Sequence, residues 1–215
     1  MVVEAEEDVA VYEKFMQPDS TVVKTSEGET GRKGYANVEV IVSEIRQEVP
    51  VAHIMGIRDT DYTRYEDGYE APANIFLTDR RDLEMMLLEA ESVQQALRAW
   101  EPTFDAALAK CIPICRHFGY LRIYNEVTDL SVKFHDHLCP SKYWDYQQQA
   151  MKATWEQDST AKFVELSAGG CTAQDVTVFI STHKLEEENL YDICRVHDLL
   201  KLLSCSQVAF IACCW

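Results

Sequence analysis

The chain has 215 residues, 47% of them hydrophobic, and 36 acidic against 20 basic side chains give a formal net charge of −16. That balance is globular and sufficient for a sizeable core, but its acidity argues against sequence-blind coating of DNA, which needs a basic surface. It does not exclude a nuclease, because a metal ion offsets acids locally.

No apolar run reaches bilayer-spanning length, and Met1-Val2-Val3-Glu4 is no secretion signal. A cytoplasmic chain without membrane contact is therefore expected, its eight cysteines reduced and buried.

The apolar start Met1–Ala5 reads as a strand that runs straight into Glu4, Glu6, Glu7 and Asp8. Val9, Tyr12, Phe15 and Met16 recur at helical spacing, which predicts a helix over about Asp8–Met16, broken at Pro18. Thr21–Thr25 is β-branched and short, hence a strand. After a glycine-rich loop, Val38, Ile41, Val42, Ile45 and Val49 mark one helix face, and Pro50 closes that helix. Val51–Arg58 and Ile75–Leu77 read as two further strands, and from Asp82 the pattern is helical. Strands alternating with amphipathic helices predict a parallel sheet.

Past about residue 100 the strand signals thin out. A helix carrying Phe104, Leu108, Cys111 and Cys115 is expected, interrupted by Pro113. Trp144, Gln148, Met151 and Trp155 suggest a helix over Tyr143–Trp155, and Leu185–Leu203 a final one. Between them, Thr172 with Asp175 resembles a capping box and so a helix start. The expected organisation is an α/β domain over residues 1–100 and a mostly helical region over 101–215.

Chemistry gathers where the expected strands end. Glu4 closes the first, and Gly56-Ile57-Arg58-Asp59-Thr60-Asp61 carries two acids at the end of the third. If those strands are neighbours, the three carboxylates share the edge where open α/β sheets bind ligands. Asp59 and Asp61 also share a face if the strand continues through Thr60. Carboxylates that close repel one another unless a cation sits between them. Solvated loop acids are the other reading of the same residues.

Ser26–Gly34 fails as a phosphate-binding P-loop, because its lysine is not followed by Ser or Thr. Its Arg32 and Lys33 either touch nucleic-acid phosphates or belong to a plain surface loop. Cys111, Cys115 and His117, and likewise His135, His137 and Cys139, offer zinc-ligand types at spacings unlike a common finger. Buried cysteines with surface histidines account for them better.

Several short motifs, in order, carry a resemblance. Val3-Glu4-Ala5-Glu6-Glu7-Asp8 resembles the opening of the Toprim domain, and Arg58-Asp59-Thr60-Asp61-Tyr62 its Asp-x-Asp element. Together with Tyr12-Glu13-Lys14-Phe15, Asn37-Val38, Thr78-Asp79-Arg80-Arg81-Asp82-Leu83-Glu84 and Cys194-Arg195-Val196-His197-Asp198-Leu199, they resemble the Toprim-related nuclease family that includes AriB, the effector of the PARIS anti-phage system. The likeness spans about residues 2–90 well and the remainder in patches. Ala5 stands where the family has Gly, and Val196 where its late Gly-His-Asp motif has Gly.

The resemblance implies a Toprim-like fold and a nuclease dependent on Mg²⁺ or Mn²⁺. Glu4 is then the catalytic acid/base, Asp59 and Asp61 bind the metal, and Asp8 and Glu84 are extra acids near it. It further implies RNA, of the tRNA class, as substrate and an ABC-type ATPase as the partner that restrains the effector. Activity is expected to depend on release from that partner or on self-association as a homodimer. Arg32, Lys33, Arg58, Arg64, Arg80 and Arg81 form a candidate basic strip along the acidic motifs for nucleic-acid binding. A non-catalytic Toprim-like binding or assembly protein is the rival expectation.

Overall fold

A computed structural model describes residues 1–26, 35–50, 53–66, 68–148 and 150–206. Arg32, Lys33 and the Cys213-Cys214-Trp215 tail lie outside the described residues. The chain divides into two compact units, Met1–Leu83 and Glu84–Trp215. The helical residues 84–100 thus group with the second unit rather than with the α/β part.

In the first unit the order is β1 (Val2–Val3), α1 (Glu6–Tyr12), β2 (Lys24–Thr25), α2 (Tyr35–Glu48), β3 (Gly56–Arg58) and β4 (Ile75–Leu77). The four strands form one parallel sheet in the order β2-β1-β3-β4, with Val2 opposite Gly56 and Arg58 opposite Leu77. The α/β expectation with a parallel sheet and neighbouring first and third strands is met.

The elements are shorter than the patterns suggested. Helix α1 ends at Tyr12 rather than Met16, leaving Phe15 72% exposed; of the third strand expected over Val51–Arg58, Val51 and Ala52 lie outside the described residues, and among the described ones ladder pairing starts at Gly56. One face of α2, Val38, Ile41 and Val42, packs on Val2 and Ile75, with Ile45 and Ile54 at its margin. Val49 lies past the helix and is exposed. Gly56 makes this contact possible: a Cβ there would lie 2.6 Å from Val38 Cγ1 and 2.8 Å from Ile75 Cδ1.

The second unit holds α3 (from Leu83 to Glu89, its first residue in the first unit), α4 (Glu91–Trp100), α5 (Phe104–Val127), α6 (Phe134–His137), the hairpin β5 (Trp144–Asp145) and β6 (Ala150–Met151), α7 (Trp155–Leu166), α8 (Ala173–Thr182), α9 (Leu190–Ile193) and α10 (Val196–Cys205). Helix α5 runs unbroken through Pro113 for 24 residues. An interior proline costs about 3 kcal/mol, and burial of Cys111, Ile114, Cys115 and Phe118 around it offsets that. At Gly119 a Cβ would sit 2.5 Å from the Ile193 carbonyl oxygen, so α9 approaches α5 backbone to backbone.

Three expectations change here. Tyr143–Trp155 is a hairpin rather than a helix, because the Asp145 carboxylate accepts from the N–H groups of Gln147 (2.8 Å) and Gln148 (3.1 Å) and fixes a turn. Leu185–Leu203 is two helices, since Asn189 caps a new start through the Tyr191 N–H and Cys194 and Arg195 are extended. His117 is buried with its ring Nε2 2.9 Å from Ser159 Oγ, a core histidine rather than a surface one. The capping box predicted at Thr172 opens α8. Among the described residues no helix is long and apolar enough to cross a membrane.

Candidate active site

Parallel pairing fixes where the acids fall. Glu4 follows β1 directly and Asp59 follows β3 directly, so both emerge at the C-terminal edge of adjacent strands. There the Glu4 Oε1 accepts the Asp59 backbone N–H at 2.8 Å. The Glu4 carbonyl oxygen accepts from Thr25 Oγ1 and Ser26 Oγ, each at 3.3 Å, which ties this position to the end of β2. Asp59 Oδ1 in turn accepts the Leu83 N–H at 3.1 Å.

Neither acid is at ease as an anion. Burial pushes the Glu4 carboxyl up to about 7, against the Asp59 N–H that lowers it, with Asp61 and Asp8 adding repulsion. Burial, then the charges of Glu4, Asp82, Asp61 and Asp8, push Asp59 up to about 8. Two neighbouring carboxyls titrating near neutrality can hold or pass a proton, or take up a cation that relieves the crowding.

Asp8 contributes from the first turn of α1, where its Oδ2 accepts the Ala5 N–H at 3.0 Å, and burial raises its pKa. Asp61 does not share a face with Asp59. The strand stops at Arg58, Asp61 has a left-handed φ of 45°, and its Oδ1 pairs with Arg81 Nη2 at 2.9 Å. Glu84 lies in the first turn of α3, in the second unit.

Two of the six residues of the expected basic strip are internal. Arg58 is buried, with its Nε 3.4 Å from Glu39 Oε1 and its guanidinium 5.1 Å over the Tyr69 ring. Arg81 is also buried, bridging Asp61 and Asp82 and lying 4.8 Å over the Tyr62 ring. Burial opposes its charge, but Tyr62, Asp82 and Asp61 together hold its pKa above the ordinary value. These two arginines are internal counter-ions rather than contacts for nucleic acid. Arg64 is exposed and Arg80 half-buried, and both donate to the Asp79 carbonyl at 3.4 Å, so they sit together.

Two groups escaped the sequence reading. Asp82 is buried and adds its charge to Asp59, and Tyr12 is pushed up to about 12 by burial and then by Asp8, Asp59 and Asp79. Both lie in quoted motifs, but neither carries a spacing signal that separates a site residue from an ordinary one.

Among the described residues, no group of three or more His, Cys, Asp or Glu side chains is placed to hold a metal ion. A protein cage of the calcium type is thereby not formed. Mg²⁺ asks for less, since it keeps several waters and is held through one or two carboxylates together with substrate phosphates. Glu4 and Asp59 fit that smaller requirement in donor type and in their excess of negative charge. Against known proteins, no family model, no curated protein and no solved structure matches this chain.

Proposed function

We propose that the chain is a Toprim-type nuclease in which Glu4 and Asp59 hold Mg²⁺ or Mn²⁺ to hydrolyse RNA, with tRNA as the expected substrate. The single observation that carries this reading is the pairing of two half-buried carboxyls of raised pKa at the C-terminal edge of a parallel sheet. A bound divalent cation supplies Lewis acidity and a water of lowered pKa. With the cation in place, Glu4 would take the proton of the attacking water and return it to the leaving oxygen. Asp59 orients by virtue of the Leu83 N–H that fixes its other contact. Asp8 is an auxiliary acid in this reading, and Arg64 and Arg80 the phosphate contacts.

The same reading makes the protein an effector in anti-phage defence, restrained by an ABC-type ATPase and active once released or self-associated. A net charge of −16 disfavours unaided capture of RNA and favours docking on a basic partner. The rival is a non-catalytic assembly protein. It is favoured by the partners the acids already have: Glu4 is bonded to Asp59, Asp59 to Leu83, Asp8 to Ala5 and Asp61 to Arg81.

Manganese titration of the purified chain, followed by incubation with total tRNA, separates the two. Saturable Mn²⁺ binding lost in Glu4→Gln and Asp59→Asn, with cation-dependent cleavage lost in the same variants, supports the nuclease. Absence of Mn²⁺ binding, or cleavage unchanged in both variants, refutes it.

A further inference from the structure

The second unit contains a cleft of about 430 Å³ lined wholly by its own residues. Pro113, His117 and Tyr120 of α5 follow one another at four and three residues, hence on one helix face, and form one wall. Trp155 and Glu156 at the start of α7 and Ile180 of α8 form the others. The volume falls within the range of small-ligand sites, about 300–1,000 Å³.

His117 lines this cleft although it is only 8% exposed. Its ring is held in place: Nε2 lies 2.9 Å from Ser159 Oγ and 3.3 Å from Thr160 Oγ1, and the Trp155 ring meets it edge to face at 5.2 Å between centroids. The Ser159 hydroxyl donates its own proton to the Glu156 carbonyl at 3.0 Å, so it accepts from the His117 Nε2–H. Burial holds the His117 pKa down to about 4, and the neutral ring with its proton on Nε2 carries a lone pair on Nδ1.

Across from that lone pair stands another acceptor. Glu156 Oε1 is 4.0 Å from Nδ1, beyond hydrogen-bond distance, and among the described residues no hydrogen bond reaches Nδ1. Two acceptors facing each other so closely need a donor between them, and a nitrogen about 2.9 Å from each fits the gap. One of the two is a carboxylate, which favours a charged donor. The rings of Trp155 and Tyr120 favour a cation as well, through their electron-rich faces. Arg116, a cation in the same lining, donates to the Glu186 carbonyl at 3.3 Å, and the Glu186 carboxylate in that lining offsets its charge.

We propose that this cleft binds a primary organic amine, its ammonium group donating to His117 Nδ1 and Glu156 and its apolar body lying against Trp155, Tyr120 and Pro113.

Calorimetric titration of the full chain in EDTA tests the site with three probes. Benzylamine carries the charge and the N–H donors, benzyl alcohol lacks the charge, and benzyltrimethylammonium keeps the charge without an N–H. Saturable binding of benzylamine is expected, at least tenfold tighter than of either analogue and weakened about tenfold or more by Glu156→Gln. Glu156 is exposed, so the fold is expected to tolerate that change. Nitrogen NMR of the histidine rings supplies a measurement that needs no variant: an unprotonated His117 Nδ1 whose resonance moves when benzylamine is added. Equal affinity in wild type and Glu156→Gln, or no binding of benzylamine up to about 10 mM, overturns the proposal. An analogue that binds as tightly as benzylamine also overturns it, since the aromatic walls alone then account for capture. A proton on Nδ1, or a resonance that benzylamine leaves in place, does the same.

Discussion

The Glu4 carboxylate accepts the backbone N–H of Asp59 at 2.8 Å, across the edge of two parallel strands that begin 54 residues apart in Val2 and Gly56. One bond thus holds two acids together in a setting that raises both pKa values, to about 7 and about 8.

Stability is expected to fall as pH rises through neutrality. Both folded-state values lie above the ordinary 4.5 and 3.8, so the folded state binds more protons than the unfolded chain between about pH 4 and 8, and stability present below that window is lost across it. The range from pH 7.5 to 8.5 lies clear of His117, held down to about 4 by burial, because an unfolded-state imidazole of ordinary pKa has lost most of its proton by then. The thermal midpoint should drop over that range by roughly 2–4 °C for each kcal/mol lost. Mn²⁺ should restore it most at the alkaline end. A midpoint that rises with pH in wild type and in Glu4→Gln alike counts against the raised pair.

Asp59→Asn should raise the melting midpoint at pH 8 while removing cation binding. The amide keeps an oxygen for the Leu83 N–H and deletes a charge that Glu4, Asp82 and Asp61 repel. Asp61→Ala should do the reverse to stability. It takes one carboxylate from the buried Arg81, and a loss of about 1–2 kcal/mol is expected for a partner still 41% exposed. Denaturant midpoints of the two variants, taken side by side, check both signs.

Gly56→Ala should destabilise by about 1–3 kcal/mol. Its Cβ would meet Val38 Cγ1 and Ile75 Cδ1 well inside contact distance, forcing α2 off the sheet. Chemical denaturation measures the loss, and a neutral result shows that α2 yields without cost.

Charge reversal at Arg64 or Arg80 should weaken RNA binding, as Arg64 is exposed and Arg80 half-buried beside the same Asp79 carbonyl. Arg81→Ala should instead lower the midpoint sharply, because Asp82 loses its buried counter-ion. Filter binding at two salt concentrations, paired with melting curves, distinguishes a surface contact from an internal one. RNA affinity unchanged in both reversal variants removes Arg64 and Arg80 from the interface.

The sequence by itself determined the parallel α/β start and the placement of Glu4 and Asp59 at strand ends. Apolar runs that stop abruptly at acids are local signals, and β-branched runs between amphipathic helices leave few topologies. It also located the α8 start at Thr172, a cap made within four residues. Only the tertiary structure decided the rest. Whether Asp61 joins Asp59 depended on where β3 stops pairing with β4, and the strand ended at Arg58. Whether an arginine is a surface contact or an internal counter-ion depended on Glu39 and Tyr69 for Arg58, and on Tyr62 and Asp82 for Arg81. Helix α5 crosses Pro113 and Tyr143–Trp155 folds as a hairpin because burial and a side-chain turn overrode local pattern. Propensity is worth tenths of a kcal/mol per residue, whereas a buried contact or a satisfied buried charge is worth whole ones, so distant partners settled each of these positions.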